Sequence, residues 1–174
     1  MTYVLAEASG LSKVAVGKFA EQVAAHLEFR PCDDMNLLIS KLGGRIEYAN
    51  TFSDDAEHGS LFVDAASDFK IIVPIHTSPN RDRFTIAHEL GHYFLHFVLP
   101  HQQTGAPLKL KALRKGSERV EWEANWFAAS FLMPEQEFRQ TFAECGGRLA
   151  SVAAKFCVSE NAADVRAQTL HCIA

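Results

Sequence analysis

Residues 88–92 read HELGH, two histidines four apart with a glutamate beside the first. On an α-helix such a pair projects from one face, one turn apart. The pair therefore acts as a pair only if the backbone around it is helical. Ser78 followed by Pro79 is a helix-start signal. Only Gly91 interrupts the run before Pro100, and Leu90, Phe94 and Phe97 form an apolar stripe. These features predict a helix of about 18 residues ending before Pro100.

Two imidazole nitrogens so placed reach one ion at about 2.0–2.1 Å each, the zinc–nitrogen distance. Glu89 leans to the side of the pair, where it would touch a water on the ion rather than the ion. Gly91 costs the helix about 1 kcal/mol relative to alanine. Its use would be to admit another element close to the metal. His96 continues the spacing, but three successive turns of a straight helix do not converge on one ion. It is expected to support the site or merely to pack.

A catalytic zinc takes three protein ligands and keeps one position open. The third ligand must come from another element, and SERVEWEANWFAASFLM (117–133) is the candidate helix. Glu121 shares a face with Asn125 and Ala128, small enough for close helix packing. Glu118 lies at the frayed start, and Glu123 is rotated away towards Phe127 and Ser130. The expectation is Glu121 as ligand, Asn125 as a partner orienting a ligand, and solvent exposure for Glu118 and Glu123.

The rest of the chain predicts an α+β domain. Val14, Phe19, Val23 and Leu27 mark an amphipathic helix over 11–28, and MNLLISKLGG a second helix closed by Gly43-Gly44. RIEYA, Leu61–Val63 and Phe69–Pro74 read as strands, with Pro74 pointing to an edge strand or the sheet margin. Residues 101–117 look like a long polar loop, basic at Lys109, Lys111, Arg114 and Lys115, and such loops are often functional. The tail reads as three short helices. The expected division is a core, 1–134, and a helical tail, 135–174, packed on it.

Composition removes several function classes. A formal charge of −4 over 174 residues gives no general attraction to nucleic acid or anionic membranes. No apolar run approaches the roughly 20 residues of a membrane helix, and the N-terminus lacks the pattern of a secretory signal. Cys32, Cys145, Cys157 and Cys172 form no CxxC pair, so reduced thiols in a cytoplasmic protein are expected. His26, near the C-terminal end of the first helix, carries little functional weight, and His58 falls within SDDAEHG, which reads as a solvated loop. The rhythm of LASVAAKFCVSENAADVRAQTL is like a helix-turn-helix. Yet from Glu135 onward Arg139, Arg148, Lys155 and Arg166 face Glu135, Glu137, Glu144, Glu160 and Asp164, so the tail is slightly acidic and ill suited to phosphates.

RDRFTIAHELGHYFLH (81–96) and VEWEANWFAASFLMP (120–134) together resemble the ImmA/IrrE-like zinc metallopeptidases, with weaker likeness in HGSLFVDAASDFKIIVPIH. The resemblance spans roughly residues 40 to 134 and implies a small zincin-like fold. In that fold a short, mostly antiparallel sheet packs with helices, and its edge strand borders the cleft. It matches the family's metal ligands to His88, His92 and Glu121 and its general base to Glu89, with one zinc per chain. It also implies cleavage of a helix-turn-helix repressor to switch on genes. Only a helix and a sheet precede the motif helix, so a repressor substrate is expected to be a separate polypeptide.

The expected mechanism is metal-assisted amide hydrolysis with Glu89 as base, an extended substrate adding to Phe69–Pro74, and the basic loop meeting an acidic segment of the partner. Tyr93, His76 and His101 are weak candidates for oxyanion stabilisation. Two other classes compete: a metal-holding module that sequesters a regulator without cutting it, and a DNA-binding regulator acting through the tail. The intact Glu89 argues against the first, and the acidic tail against the second.

Overall fold

A computed structural model describes residues 2–50, 59–75, 77–105, 109–113 and 117–173. His58, His76, Arg114 and Lys115 fall outside the described residues. The helices begin where polar caps direct them. Ser12 accepts a hydrogen bond from Ala15 N–H to open α1 (Lys13–His26), and Asp34 caps α2 (Met35–Lys41). Ser78 opens α3 (Pro79–Gly91), with Pro79 in the first turn, where its missing N–H costs nothing. Past α2, Gly43 adopts φ +82° against the Ser67 carbonyl, a conformation open to glycine and closed to a β-carbon.

Five strands form one sheet in the order β1-β5-β3-β4-β2. They are β1 (Tyr3–Leu5), β2 (Gly44–Ala49), β3 (Gly59–Ala65), β4 (Asp68–Pro74) and β5 (Lys109–Leu113). β3 runs antiparallel to β4 and β5, whereas β1–β5 and β2–β4 are parallel pairs. The sheet is therefore mixed and not mostly antiparallel. β4 is not an edge, because β2 pairs along it from Gly44 opposite Phe69 to Ala49 opposite Pro74, with β3 on its other side. Pro74 marks its end at the sheet margin. Addition of a substrate strand to Phe69–Pro74, expected from the sequence, is thereby closed.

The supposed loop 101–117 is also corrected. The motif helix passes through a π-helical segment, His92–Val98, into α4 (Leu99–Thr104), so Pro100 does not stop it. In a regular α-helix the Pro100 ring would clash with the carbonyl of His96, and the wider turn precedes that position. β5 then enters the sheet with Leu110 and Ala112 buried. Its lysines are engaged within the fold: Lys109 Nζ is 2.6 Å from Asp64, and Lys111 Nζ lies 5.6 Å from the Phe62 ring centroid. A basic loop free to meet a partner is not what these residues form.

One sheet face, carrying Phe69, Ile71 and Val73, is fully buried, in one core cluster with Ile86, Ala87 and Leu90 of α3. α5 (Glu118–Leu132) lies between α3 and α1. The three tail helices are α6 (Glu135–Glu144), α7 (Leu149–Phe156) and α8 (Glu160–Thr169). Their Phe138, Val152, Phe156 and Ala163 join the same core, and Arg166 is buried, donating from Nε to the Met133 carbonyl at 3.0 Å. Cys32 and Cys157 form a disulfide with Cα atoms 5.2 Å apart, leaving Cys145 and Cys172 free. The expectation of four reduced thiols is corrected there: 125 residues separate the pair, and the C-terminal end of α7 packs against the α1–α2 connection that carries Cys32. Among the described residues, no helix is long and apolar enough to cross a membrane.

Candidate metal centre

The geometry starts from Gly91. A β-carbon there would stand 2.9 Å from Ala124 Cα and 3.0 Å from the Ala124 carbonyl oxygen. Glycine thus lets α5 settle directly on α3, as the sequence suggested. The packing sets Glu121, one turn before Ala124, over the histidine pair.

His88 Nε2 is 3.0 Å from His92 Nε2 and 3.2 Å from Glu121 Oε2, and His92 Nε2 is 3.6 Å from Glu121 Oε1. Donor atoms of these three residues all lie within 4.8 Å of one another. Tetrahedral zinc with bonds near 2.05 Å separates its ligand atoms by about 3.3 Å, so the spacing fits such an ion. The chemistry fits as well. Glu121 Oε1 is buried without a hydrogen bond, an arrangement costly to leave uncompensated. His88 offers its Nδ1 to Asn125 Oδ1 at 3.0 Å, which leaves Nε2 facing the cluster. Asn125 therefore touches a candidate ligand. His88 and Glu121 side chains are 16% and 23% exposed, so the cluster is open on one side. Glu89, next in the chain to His88, is 3% exposed.

Electrostatics divide the histidines. Burial opposes charge on His88, but its hydrogen bond to Glu121 and the charges of Glu89 and Glu121 outweigh that and raise its pKa. Burial, and then the neighbouring His88 and His96 rings, push His92 well below its ordinary value. The Glu121 carboxylate thus favours the protonated form of His88.

Glu123 corrects the sequence reading outright. Its side chain is fully buried and not solvated. It accepts from Ser9 N–H at 2.8 Å, Gly10 N–H at 3.2 Å, Arg119 Nε at 3.0 Å and His96 Nε2 at 3.0 Å. Burial would raise its pKa, yet donors from Ser9, His96 and Arg119 hold it below the ordinary carboxylate range. The only signal within the sequence was the i, i+4 pair Arg119–Glu123. His96 is buried between Glu123 and His92 and does not face the cluster. Tyr93 donates its hydroxyl to the Ala66 carbonyl and stacks on Phe69, and His101 stacks on Phe97. Those contacts hold the fold.

Beside the cluster runs a groove of about 1190 Å³, lined among others by Phe84, Trp122, Asn125 and Trp126. Phe84 sits one turn before His88, and Trp122 is half exposed. Asn125 links the groove to the cluster through its hydrogen bond to His88, while His88, Glu89, His92 and Glu121 are not among the groove's lining residues.

No curated protein matches the chain at significant similarity. Among solved structures, a Mycobacterium tuberculosis transcriptional regulator shares the fold with TM-score 0.58 at 14% identity, covering 85% of this chain and 44% of that one. This chain spans less than half of that protein's length, and at such identity the likeness concerns the fold alone. The family model of the IrrE N-terminal-like domain matches residues 47–168, taking in α3, the π-helical turn and α5 with their His-His-Glu cluster. The chain belongs to the IrrE N-terminal-like family, whose membership implies a metallopeptidase.

Proposed function

We propose that the protein is a zinc-dependent endopeptidase that cleaves a separately encoded helix-turn-helix transcriptional repressor and so relieves repression, in mobile-element or stress-response regulation. The convergence of His88, His92 and Glu121 donor atoms within 4.8 Å, beside the buried Glu89, carries the hydrolytic reading. The repressor as substrate follows from the family resemblance. The tail supports a protein partner over DNA, since Arg166 is buried and Arg139 is paired with Glu135.

His88 and His92 would hold zinc through Nε2 and Glu121 through its carboxylate. Zinc supplies Lewis acidity, lowering the pKa of a water towards about 7 and polarising a carbonyl. Glu89 accepts the proton of the attacking water and returns it to the leaving amine. Asn125 keeps the His88 ring turned so that Nε2 faces the reacting groups. The substrate chain approaches along the groove, where Phe84, Trp122 and Trp126 receive apolar side chains.

The test is incubation of the zinc-loaded protein with the helix-turn-helix regulator encoded beside it, followed by mass spectrometry. Fragments are expected with wild type. Glu89→Gln should keep fold and zinc but lose about 10²–10⁴-fold in rate. Tight, zinc-independent binding without fragments would establish sequestration instead, and cleavage by Glu89→Gln at the wild-type rate would remove Glu89 from the mechanism.

A further inference from the structure

A buried chain of polar groups leads away from the metal centre. His92 Nδ1 lies 3.1 Å from His96 Nδ1, and His96 Nε2 lies 3.0 Å from Glu123 Oε2. His92, His96 and Glu123 side chains are all fully buried. The proton positions follow by elimination. The Glu123 carboxylate can only accept, so His96 carries its proton on Nε2. A neutral His96 then presents a bare Nδ1. His92 must donate to it from Nδ1, which leaves His92 Nε2 bare and directed at His88 Nε2 and Glu121.

We infer that Glu123, through His96, fixes the tautomer of His92 in which the Nε2 lone pair is presented to the metal. Glu123 and His96 are positioning residues, and the inference rests on His92 being a metal ligand. The π-helical turn beginning at His92 is part of the device, since it contains both rings. The far end is anchored by Ser9 and Gly10 N–H and by Arg119, which also reaches the Leu11 carbonyl. Ser9 and Gly10 precede residues 47–168, so this chain's N-terminal segment holds the carboxylate that orients a ligand of the family-matched domain. With three other donors on Glu123, the acceptor facing His96 stays an acceptor. Outer partners of metal-bound histidines typically contribute 10–100-fold in affinity, and this one also decides which nitrogen is available.

Two measurements test the inference, and neither uses peptidase activity. In the metal-free full chain, long-range proton–nitrogen NMR of the histidine rings should show His92 protonated on Nδ1 and His96 on Nε2. Zinc affinity, read by competition with a chromogenic chelator, should fall about 10–100-fold in His96→Leu. His96→Gln, whose amide oxygen can accept from His92 Nδ1, should recover much of it. Glu123→Gln should shift His92 towards the tautomer protonated on Nε2 and weaken zinc. Circular dichroism identifies any variant that fails to fold, and the wild-type tautomers decide the matter without variants. His92 protonated on Nε2 in wild type, or wild-type zinc affinity in folded His96→Leu, would overturn the inference. Absence of zinc binding by wild type would overturn the metal reading beneath it.

Discussion

A β-carbon on Gly91 would approach Ala124 Cα to 2.9 Å, closer than packed carbons come. This contact sets how deeply α5 sits on α3, and so where Glu121 lies over His88 and His92. Alanine at position 91 would gain about 1 kcal/mol in helix propensity, but overpacking against a backbone typically costs about 1–3 kcal/mol. The steric effect wins. Gly91→Ala should lower the thermal midpoint and weaken zinc binding together. A more stable protein with unchanged zinc affinity would show that α5 is free to move away.

Glu121 and Glu118 separate cleanly. Glu121→Ala should lose stoichiometric zinc in metal analysis after dialysis, because it removes one of the three proposed ligands. Glu118→Ala, altering an exposed first-turn residue, should keep it. The reverse pattern would move the third ligand.

Trp122 offers a test of the groove. Truncating a large aromatic contact typically costs about 2 kcal/mol or more in binding. Trp122→Ala should raise KM for the protein substrate about 30-fold, leaving zinc content unchanged. An unaltered KM would place the substrate elsewhere.

Stability of the metal-free protein should fall on mild acidification. His92 and His96 have folded pKa values below the ordinary 6.5, both through burial first. The unfolded chain therefore takes up their protons sooner, and stability is lost as pH drops from about 6.5 towards the depressed values. His88 is raised, so its contribution is complete below 6.5 and lost as pH rises through its folded value. It opposes the other two. Two depressed groups against one raised group give a net decline. Thermal melts with chelator between about pH 7.5 and about pH 5 should show it. A midpoint that rises on acidification would mean that His88 dominates.

The disulfide predicts two free thiols in the denatured, unreduced chain, Cys145 and Cys172. Closing a loop of this length contributes up to about 4–5 kcal/mol in the chain-entropy picture. Reduction, or Cys32→Ser with Cys157→Ser, should lower the thermal midpoint by several degrees. Four titrating thiols in the untreated protein would show that the bond does not form.

What the sequence determined by itself is local. The four-residue spacing of His88 and His92 fixes them to one face once the backbone is helical. Ser78-Pro79 fixes where that helix starts, and Gly91 marks the place of close approach. Along α5, the face shared by Glu121 and Asn125 pointed to the candidate third donor and to the residue that lies against His88. Tertiary structure decided the rest, because the deciding partners lie far off in the chain. Glu121 and Glu123 are about 200° apart around a helix, so facing one to α3 ordinarily turns the other to water. Here α5 is covered on that side too, by an N-terminal segment whose Ser9 lies 114 positions from Glu123. Only that cover turns a surface carboxylate into the anchor of His96. β5 shows the same limit: KLKAL alternates as a strand does, but its neighbours β1 and β3 come from the distant Tyr3–Leu5 and Gly59–Ala65. Cys32 and Cys157 meet for a like reason, since short-range pattern carries no information about which surfaces a folded chain presses together.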